Sequence, residues 1–206
     1  MLDNKGFDNW AGEYDESIDR LSTGYPFEGY YKVLEYVRNL VELSEDVKIL
    51  DLGIGTGLLT YEVYKNGGRV YGVDFSSEMI KKAKEKMPKG NFYEHNFKQG
   101  IPKEIKGLQF DYIVSSYAIH HLDDSEKVSF ILELKKVLKQ NGKIIIADIS
   151  WKNKELMEEC KKISKKYWDE EEIYFIGDEM VNKLRDIGVD SYYEQLSSCA
   201  GALVIE

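Results

Sequence analysis

The chain is expected to fold as a doubly wound α/β sheet with helices on both faces, and three observations lead there. Short, nearly all-apolar runs alternate with stretches of helical spacing, the pattern of a mostly parallel sheet buried on both faces. One run, Val47 to Leu52, ends in a glycine-rich turn, Gly53-Ile54-Gly55-Thr56-Gly57, and then enters a helical stretch. The last two apolar runs are too close for a crossover helix, so they should form an antiparallel hairpin at one edge.

The elements follow in order. Tyr30, Val33, Leu34 and Val37 recur at helical spacing within 27–43, inside an N-terminal region, 1–46, that is rich in aromatics. Tyr14 and Tyr25 stand off that stripe in polar surroundings, and Gly24-Tyr25-Pro26 reads as a turn. Strand one is 47–52. A helix over 58–66, with Leu59 and Val63 inward, stops at Gly67-Gly68, and strand two runs from Arg69 to Val73 and ends at Asp74. Ser76-Ser77-Glu78 opens the next helix with hydroxyl caps and an early acid, and Met79, Ile80 and Ala83 face inward. Strand three is 91–95 and strand four 110–115. Asp123-Asp124 opens a helix carrying Val128, Ile131 and Leu138, closed by Asn141-Gly142 before strand five, 143–149. A lysine-rich helix over 152–167, an acidic run at Glu170-Glu171-Glu172 and a helix over 178–187 precede strands six and seven, about 190–196 and 201–206. That makes seven strands.

Composition narrows the function classes. At 206 residues the chain suits one domain with a full core. A net charge of −9, from 28 basic and 37 acidic side chains, argues against sequence-independent binding to nucleic acid, which depends on neutralising phosphates. No stretch approaches the roughly 20 apolar residues of a membrane span, and Met1-Leu2-Asp3-Asn4-Lys5 has no apolar signal region. Cys160 and Cys199 make neither a disulfide framework nor a metal-type spacing. The expectation is a cytoplasmic protein with no metal and no nucleic-acid or membrane partner; none of these patterns encodes the oligomeric state.

Ligands of such sheets bind at the carboxyl ends of the strands. Gly53, Gly55 and Gly57 let the backbone approach a ligand, where a side chain would intervene. A dinucleotide fold wants its third glycine at position 58, where this chain has Leu58. Asp51 also stands two residues before the first glycine, where it would repel a pyrophosphate and favour a cationic ligand. S-adenosylmethionine, with sulfonium, ammonium and carboxylate on an adenosine, is such a ligand. Asp51 is then placed to draw in the ammonium or simply to cap the turn. Asp74 can take both ribose hydroxyls, and Phe75 and Met79 can cover the adenine.

These residues carry a resemblance. Ile49 to Gly57 resembles the first motif of class I S-adenosylmethionine-dependent methyltransferases, and Val70-Tyr71-Gly72-Val73-Asp74 resembles their second. Phe110 to Ser115, with Ala118-Ile119-His120-His121-Leu122, resembles the fourth-strand motif of their small-molecule branch. Lys139 to Lys143 is similar to their fifth-strand entry. The two ends, Phe7 to Asp15 and Ser197 to Gly201, resemble small bacterial methyltransferases of poorly defined substrate. The resemblance implies a Rossmann-like fold over one domain, 1–206. Within it, 1–46 is a helical cap, 47–150 the cofactor-binding core, 151–178 an insert helping form the acceptor site, and 179–206 the last helix and edge hairpin. By the strand-end rule, Asn96 and Phe97, Ser115 to His121 and Asp148 to Trp151 also stand at the expected site, with Phe97 and Ser115 expected to contact the cofactor. The family usually carries an acid after the third strand to accept from the adenine amino group. Here the candidate is Asn96, whose carbonyl can accept and whose amide can donate.

Methyl transfer is an in-line displacement, so a protein mainly aligns the two partners and takes a proton where there is one. His120 and His121 sit at the mouth of the expected site, and imidazole is the usual base near neutral pH. In phosphoethanolamine methyltransferases a histidine–leucine pair at this place works with an N-terminal tyrosine. The resemblance thus points to His121 as base, with Tyr14 or Tyr25 as partner; packing beside the next helix stays open as an alternative. Ser115-Ser116-Tyr117-Ala118 lacks the prolines of amino-methylating DNA enzymes, neither cysteine follows a proline as cytosine C5 chemistry needs, and no acid ends the fourth strand as in metal-dependent catechol-type enzymes. The expected acceptor is a small molecule methylated at O, N or S. A non-catalytic S-adenosylmethionine sensor or protein-interaction domain is the alternative.

Overall fold

The computed structural model describes residues 17, 18 and 21–206; Tyr14 and the rest of the N-terminal motif lie outside the described residues. Five strands run parallel: β1 (Lys48–Leu52), β2 (Arg69–Asp74), β3 (Asn91–Glu94), β4 (Phe110–Ser116) and a long β5 (Leu138–Trp151). A short β6 (Phe175–Ile176) follows, and then the hairpin of β7 (Ser191–Gln195) and β8 (Ala200–Ile205). The sheet order is β3-β2-β1-β4-β5-β8-β7, with β6 paired to β5 off this path. The seven expected strands are all present, and β8 lies antiparallel to β5, which leaves β7 at the edge. The additional strand β6 is two residues long and extends the end of β5 through Ser150–Phe175 and Trp151–Ile176. It is too short to show any periodicity in a sequence.

The helices are α1 (Tyr30–Asn39), α2 (Tyr61–Lys65), α3 (Ser77–Lys86), α4 (Asp124–Lys135), α5 (Lys154–Ile163) and α6 (Gly177–Asp186). Alternate strand residues go to opposite faces. Ile144 and Ile146 join a core with Phe130, Ile131 and Leu134 of α4 and Met180 and Leu184 of α6. Ile145 and Ala147 join the opposite core with Tyr30, Val33, Leu34 and Val37 of α1 and Ile80 and Ala83 of α3. A near-continuous apolar strand is what burial on both faces requires.

Local chemistry sets the helix ends. Ser76 caps α3, its hydroxyl accepting from the Met79 N–H. Asp123 and Glu126 form a reciprocal capping box on α4. Several boundaries differ from expectation; the lysine-rich helix, for one, ends at Ile163 and not at 167. α1 begins only after Gly29, which is left-handed at φ 71°. α4 ends at Lys135, so Leu138 opens β5 and pairs with Phe110 instead of extending the helical stripe. The glycine turn continues through Thr60, so α2 starts at Tyr61.

Candidate functional site

β1 has β2 on one side and β4 on the other, so the chain's crossovers part there and a cleft opens beyond the two strand ends. The glycine turn is pulled across β2: the Val73 carbonyl accepts from Gly53 N–H at 2.8 Å and from Ile54 N–H at 3.0 Å. Asp74 fastens the same turn. Its Oδ2 accepts from Gly55 N–H at 2.8 Å and its Oδ1 from Ser76 N–H at 2.9 Å. These bonds use part of a carboxylate's four acceptor directions. Gly53 has φ 72°, and a Cβ there would stand 2.4 Å from the Ala118 Cβ. Gly55 has φ 54°, and a Cβ there would meet nothing within 4 Å, so its open side faces free space. Gly57 packs under the Met87 methyl.

The cleft is lined on one side by Gly53, Gly55, Asp74, Phe75, Met79 and Phe97. On the other side stand Ser116, Tyr117, Ala118 and His121. Most of the expected cofactor residues therefore converge. Ser115 does not line the cleft; its hydroxyl donates to the Leu52 carbonyl at 2.8 Å and ties β4 to β1. Asn96 is exposed, and its Oδ1 accepts from Lys98 N–H at 2.9 Å to cap the short turn after β3.

Asp51 lies beneath the turn and is 1% exposed. Its Oδ2 accepts from the Thr60 hydroxyl at 2.9 Å, and its Oδ1 has no hydrogen-bond partner among the described residues. Burial pushes its carboxyl up to about 7; the Thr60 hydroxyl opposes this and the nearby Asp74 adds to it. A buried carboxylate oxygen in this state is stabilised by a cation.

The two histidines have different surroundings. His120 is buried, and its Nδ1 lies 2.7 Å from Asp148 Oδ1. Asp148 Oδ2 accepts from Ile119 N–H at 2.8 Å and from His120 N–H at 3.1 Å. Burial pushes His120 down, but the Asp148 carboxylate outweighs it and the net shift is upward. Burial pushes Asp148 up, but the charge and hydrogen bond of His120, joined by the Ile149 and Ile119 backbone N–H donors, outweigh it and hold the carboxyl below the usual carboxylate range. His121 faces the cleft, and burial together with the His120 charge lowers it to about 4. It is therefore a neutral imidazole at pH 7.

The segment after β5 is clasped to this turn. Ile173 N–H donates to the His120 carbonyl at 2.9 Å, and Glu172 Oε1 stands 3.8 Å from His120 Nε2. The buried Lys127 ammonium donates to the Leu122 carbonyl and, at 2.8 Å, to the Ile173 carbonyl. Tyr25 joins the same segment: its hydroxyl is 2.5 Å from that of Tyr174, and its ring stacks on Trp168 at 5.3 Å. Burial raises the Tyr25 phenol to about 12. Tyr117 packs against this aromatic cluster and also lines the cleft.

Sequence reasoning placed Ser116, Tyr117 and Asp148 at the strand ends but gave them no role, and it missed Thr60 beneath the turn. Asp148 carries a readable signal, an acid inside the apolar run Ile144 to Ile149. No group of His, Cys, Asp and Glu suited to a metal ion occurs among the described residues.

A family model described as a methyltransferase domain matches residues 43–188. An uncharacterized methyltransferase of Alkaliphilus oremlandii is 32% identical over 197 residues, covering 94% of this chain and 83% of the relative. One from Anoxybacillus flavithermus is 39% identical over 155 residues, covering 74% of this chain and 69% of the relative. Among solved structures, the DhpI–SAH complex superposes with a TM-score of 0.72 at 16% identity, covering 98% of this chain and 94% of that one. The PH0226 protein of Pyrococcus horikoshii OT3 gives 0.66 at 24% identity, covering 93% and 98%. At these identities the structural likeness speaks to the fold.

Proposed function

This chain belongs to the methyltransferase-domain family, and on that premise we propose that it transfers a methyl group from S-adenosylmethionine to an oxygen, nitrogen or sulfur of a small-molecule acceptor. The observation that carries the donor half is Asp51 Oδ1, a buried carboxylate oxygen lacking a partner among the described residues beneath an open glycine turn. The cleft residues fit the donor: Asp74 would hold its ribose hydroxyls, and Phe75, Met79 and Phe97 the flat face of its adenine. Asp51, buried below the cleft and not among its lining residues, would draw its ammonium toward the turn. Gly55 leaves the backbone side of that space clear.

When bound, the donor supplies an electrophilic methyl and its own leaving group. The chain's work is then alignment and proton removal. His121 is neutral at pH 7 and lines the cleft, so it can take a proton as the acceptor's new bond forms. A base of low pKa serves an acceptor atom that becomes strongly acidic during transfer, as a hydroxyl oxygen does. His120, bound to Asp148, has its Nδ1 occupied and acts on His121 by holding the turn. The aromatic segment around Trp168 and Tyr174, with Tyr25 and Tyr117, would wall the acceptor side from water.

The test is incubation with methyl-labelled donor and a cell extract separated by ultrafiltration. Label in a low-mass product separated chromatographically from unreacted donor, absent without the enzyme and lowered by His121→Ala without loss of donor binding, supports the reading. Label confined to protein or nucleic acid overturns the small-molecule acceptor.

A further inference from the structure

A second cavity, of about 460 Å³, lies between residues 23–28, α5 and the turn at Ser198. Its volume falls in the range of small-molecule sites, roughly 300–1,000 Å³. Among the described residues none lines both it and the donor cleft. Tyr25, Leu156, Ile163 and Tyr167 supply its apolar walls. Ile163 and Tyr167 are left 82% and 66% exposed, large apolar surfaces on one rim that the described fold does not cover.

The charged groups among its described lining residues have one sign. Glu28 and Glu159 line the cavity, and among the described residues no lysine or arginine does. Glu28 is held in place by the Ser198 hydroxyl, which donates to its Oε2 at 2.5 Å. An anionic ligand would meet two carboxylates and, among the described lining residues, no cation, the nearby Lys166 being drawn onto the Tyr167 ring. Rings of this segment already carry cations: Lys166 sits 5.2 Å over Tyr167, and Lys161 5.3 Å over Trp168, which stacks on Tyr25. Such contacts stabilise a desolvated ammonium.

We propose that this cavity is a second small-molecule site that binds an organic cation, its ammonium between Glu28 and Glu159 and its apolar body against Tyr25, Leu156 and Ile163. Its described lining shares no residue with the donor cleft, and Tyr25 stands both in this cavity and in the wall proposed for the acceptor side.

The test uses three probes of one chain length: n-hexylammonium, 1-hexanol and hexanoate. Binding is followed by calorimetry and by tryptophan fluorescence, which Trp168 reports through its stack on Tyr25. Hexylammonium should bind saturably, hexanol about ten-fold or more weaker, and hexanoate not at all. Saturating S-adenosylhomocysteine should leave hexylammonium binding intact. The Glu28→Gln/Glu159→Gln double variant should lose about ten-fold or more in hexylammonium affinity while keeping its affinity for S-adenosylhomocysteine, which shows that it is folded. Should the double variant fold poorly, Glu159→Gln alone, on the exposed face of α5, carries the same expectation. Equal binding of hexanol and hexylammonium, displacement by S-adenosylhomocysteine, undiminished binding in the charge-neutral variant, or no saturable hexylammonium binding would each overturn the proposal.

Discussion

Asp148 takes the His120 ring at 2.7 Å and the His120 backbone N–H at 3.1 Å, so one buried carboxylate governs both the side chain and the path of the residue preceding His121. The pair is charged over a defined window. His120 is raised, so its contribution is complete below its unfolded pKa and is lost as pH rises through the folded value. Asp148 is lowered, so its contribution is present above its unfolded pKa and is lost as pH falls through the folded value. The imidazole titrations of the two neighbours should therefore be far apart by NMR, His120 above its ordinary value and His121 near 4. Asp148→Asn should bring His120 down and loosen the turn, lowering turnover more than donor affinity. A His120 midpoint unmoved by that change would remove Asp148 as its partner.

Asp51 gives the opposite sign. Its folded pKa, about 7, is above the ordinary 3.8 because burial resists its charge. Between those values the unfolded chain is ionised and the unliganded fold is not, so stability falls as pH rises from about 4 to about 7. Asp51→Asn should melt higher relative to wild type at pH 8 than at pH 4.5. Affinity for S-adenosylhomocysteine, whose ammonium needs the ionised carboxylate, should weaken below pH 7 in wild type and lose that dependence in the variant. Parallel melting curves at both pH values would show that Asp51 is ionised without a ligand.

Gly53 is a steric constraint as well as a turn residue. Gly53→Ala puts a methyl 2.4 Å from the Ala118 Cβ at a φ of 72°. A short neighbour cannot swing aside, so the turn or the β4 loop must shift, at a cost of about 1–3 kcal/mol. Donor affinity should fall with it. Gly107→Ala, with nothing within 4 Å, should leave both stability and affinity near wild type. Equal effects from the two substitutions would contradict the close approach of β1 and β4 loops.

The fold was legible because it rests on local signals repeated along the chain. Apolar runs of strand length, the glycine turn and the Ser76 cap each announce themselves within a few residues. Asp51, the turn glycines and Asp74 were legible for the same reason, since their spacing is local. What was not legible depends on facing or on distant partners. Whether Ser115 or Ser116 meets the cleft is a matter of strand parity, and the structure turns Ser116 toward it. Asn96 follows a strand where a ligand contact is expected, but a short polar side chain at such a place readily bonds its own backbone. Tyr25 stands among polar residues in sequence, and the aromatics that surround it come from positions 168 and 174. Asp148 needed the turn at Ile119 and His120 before its role could be seen.

The most direct measurement of the donor site is titration calorimetry with S-adenosylhomocysteine and with NAD, on wild type, Asp74→Ala and Asp74→Asn. Wild type should bind S-adenosylhomocysteine and not NAD. Asp74→Ala should lose several-fold or more in affinity, since it removes both the proposed ribose contact and the bonds to Gly55 and Ser76. Asp74→Asn, which keeps the shape and one acceptor, should lose less. Binding of NAD alone, or S-adenosylhomocysteine affinity unchanged in Asp74→Ala, would contradict the assignment of this cleft to the methyl donor.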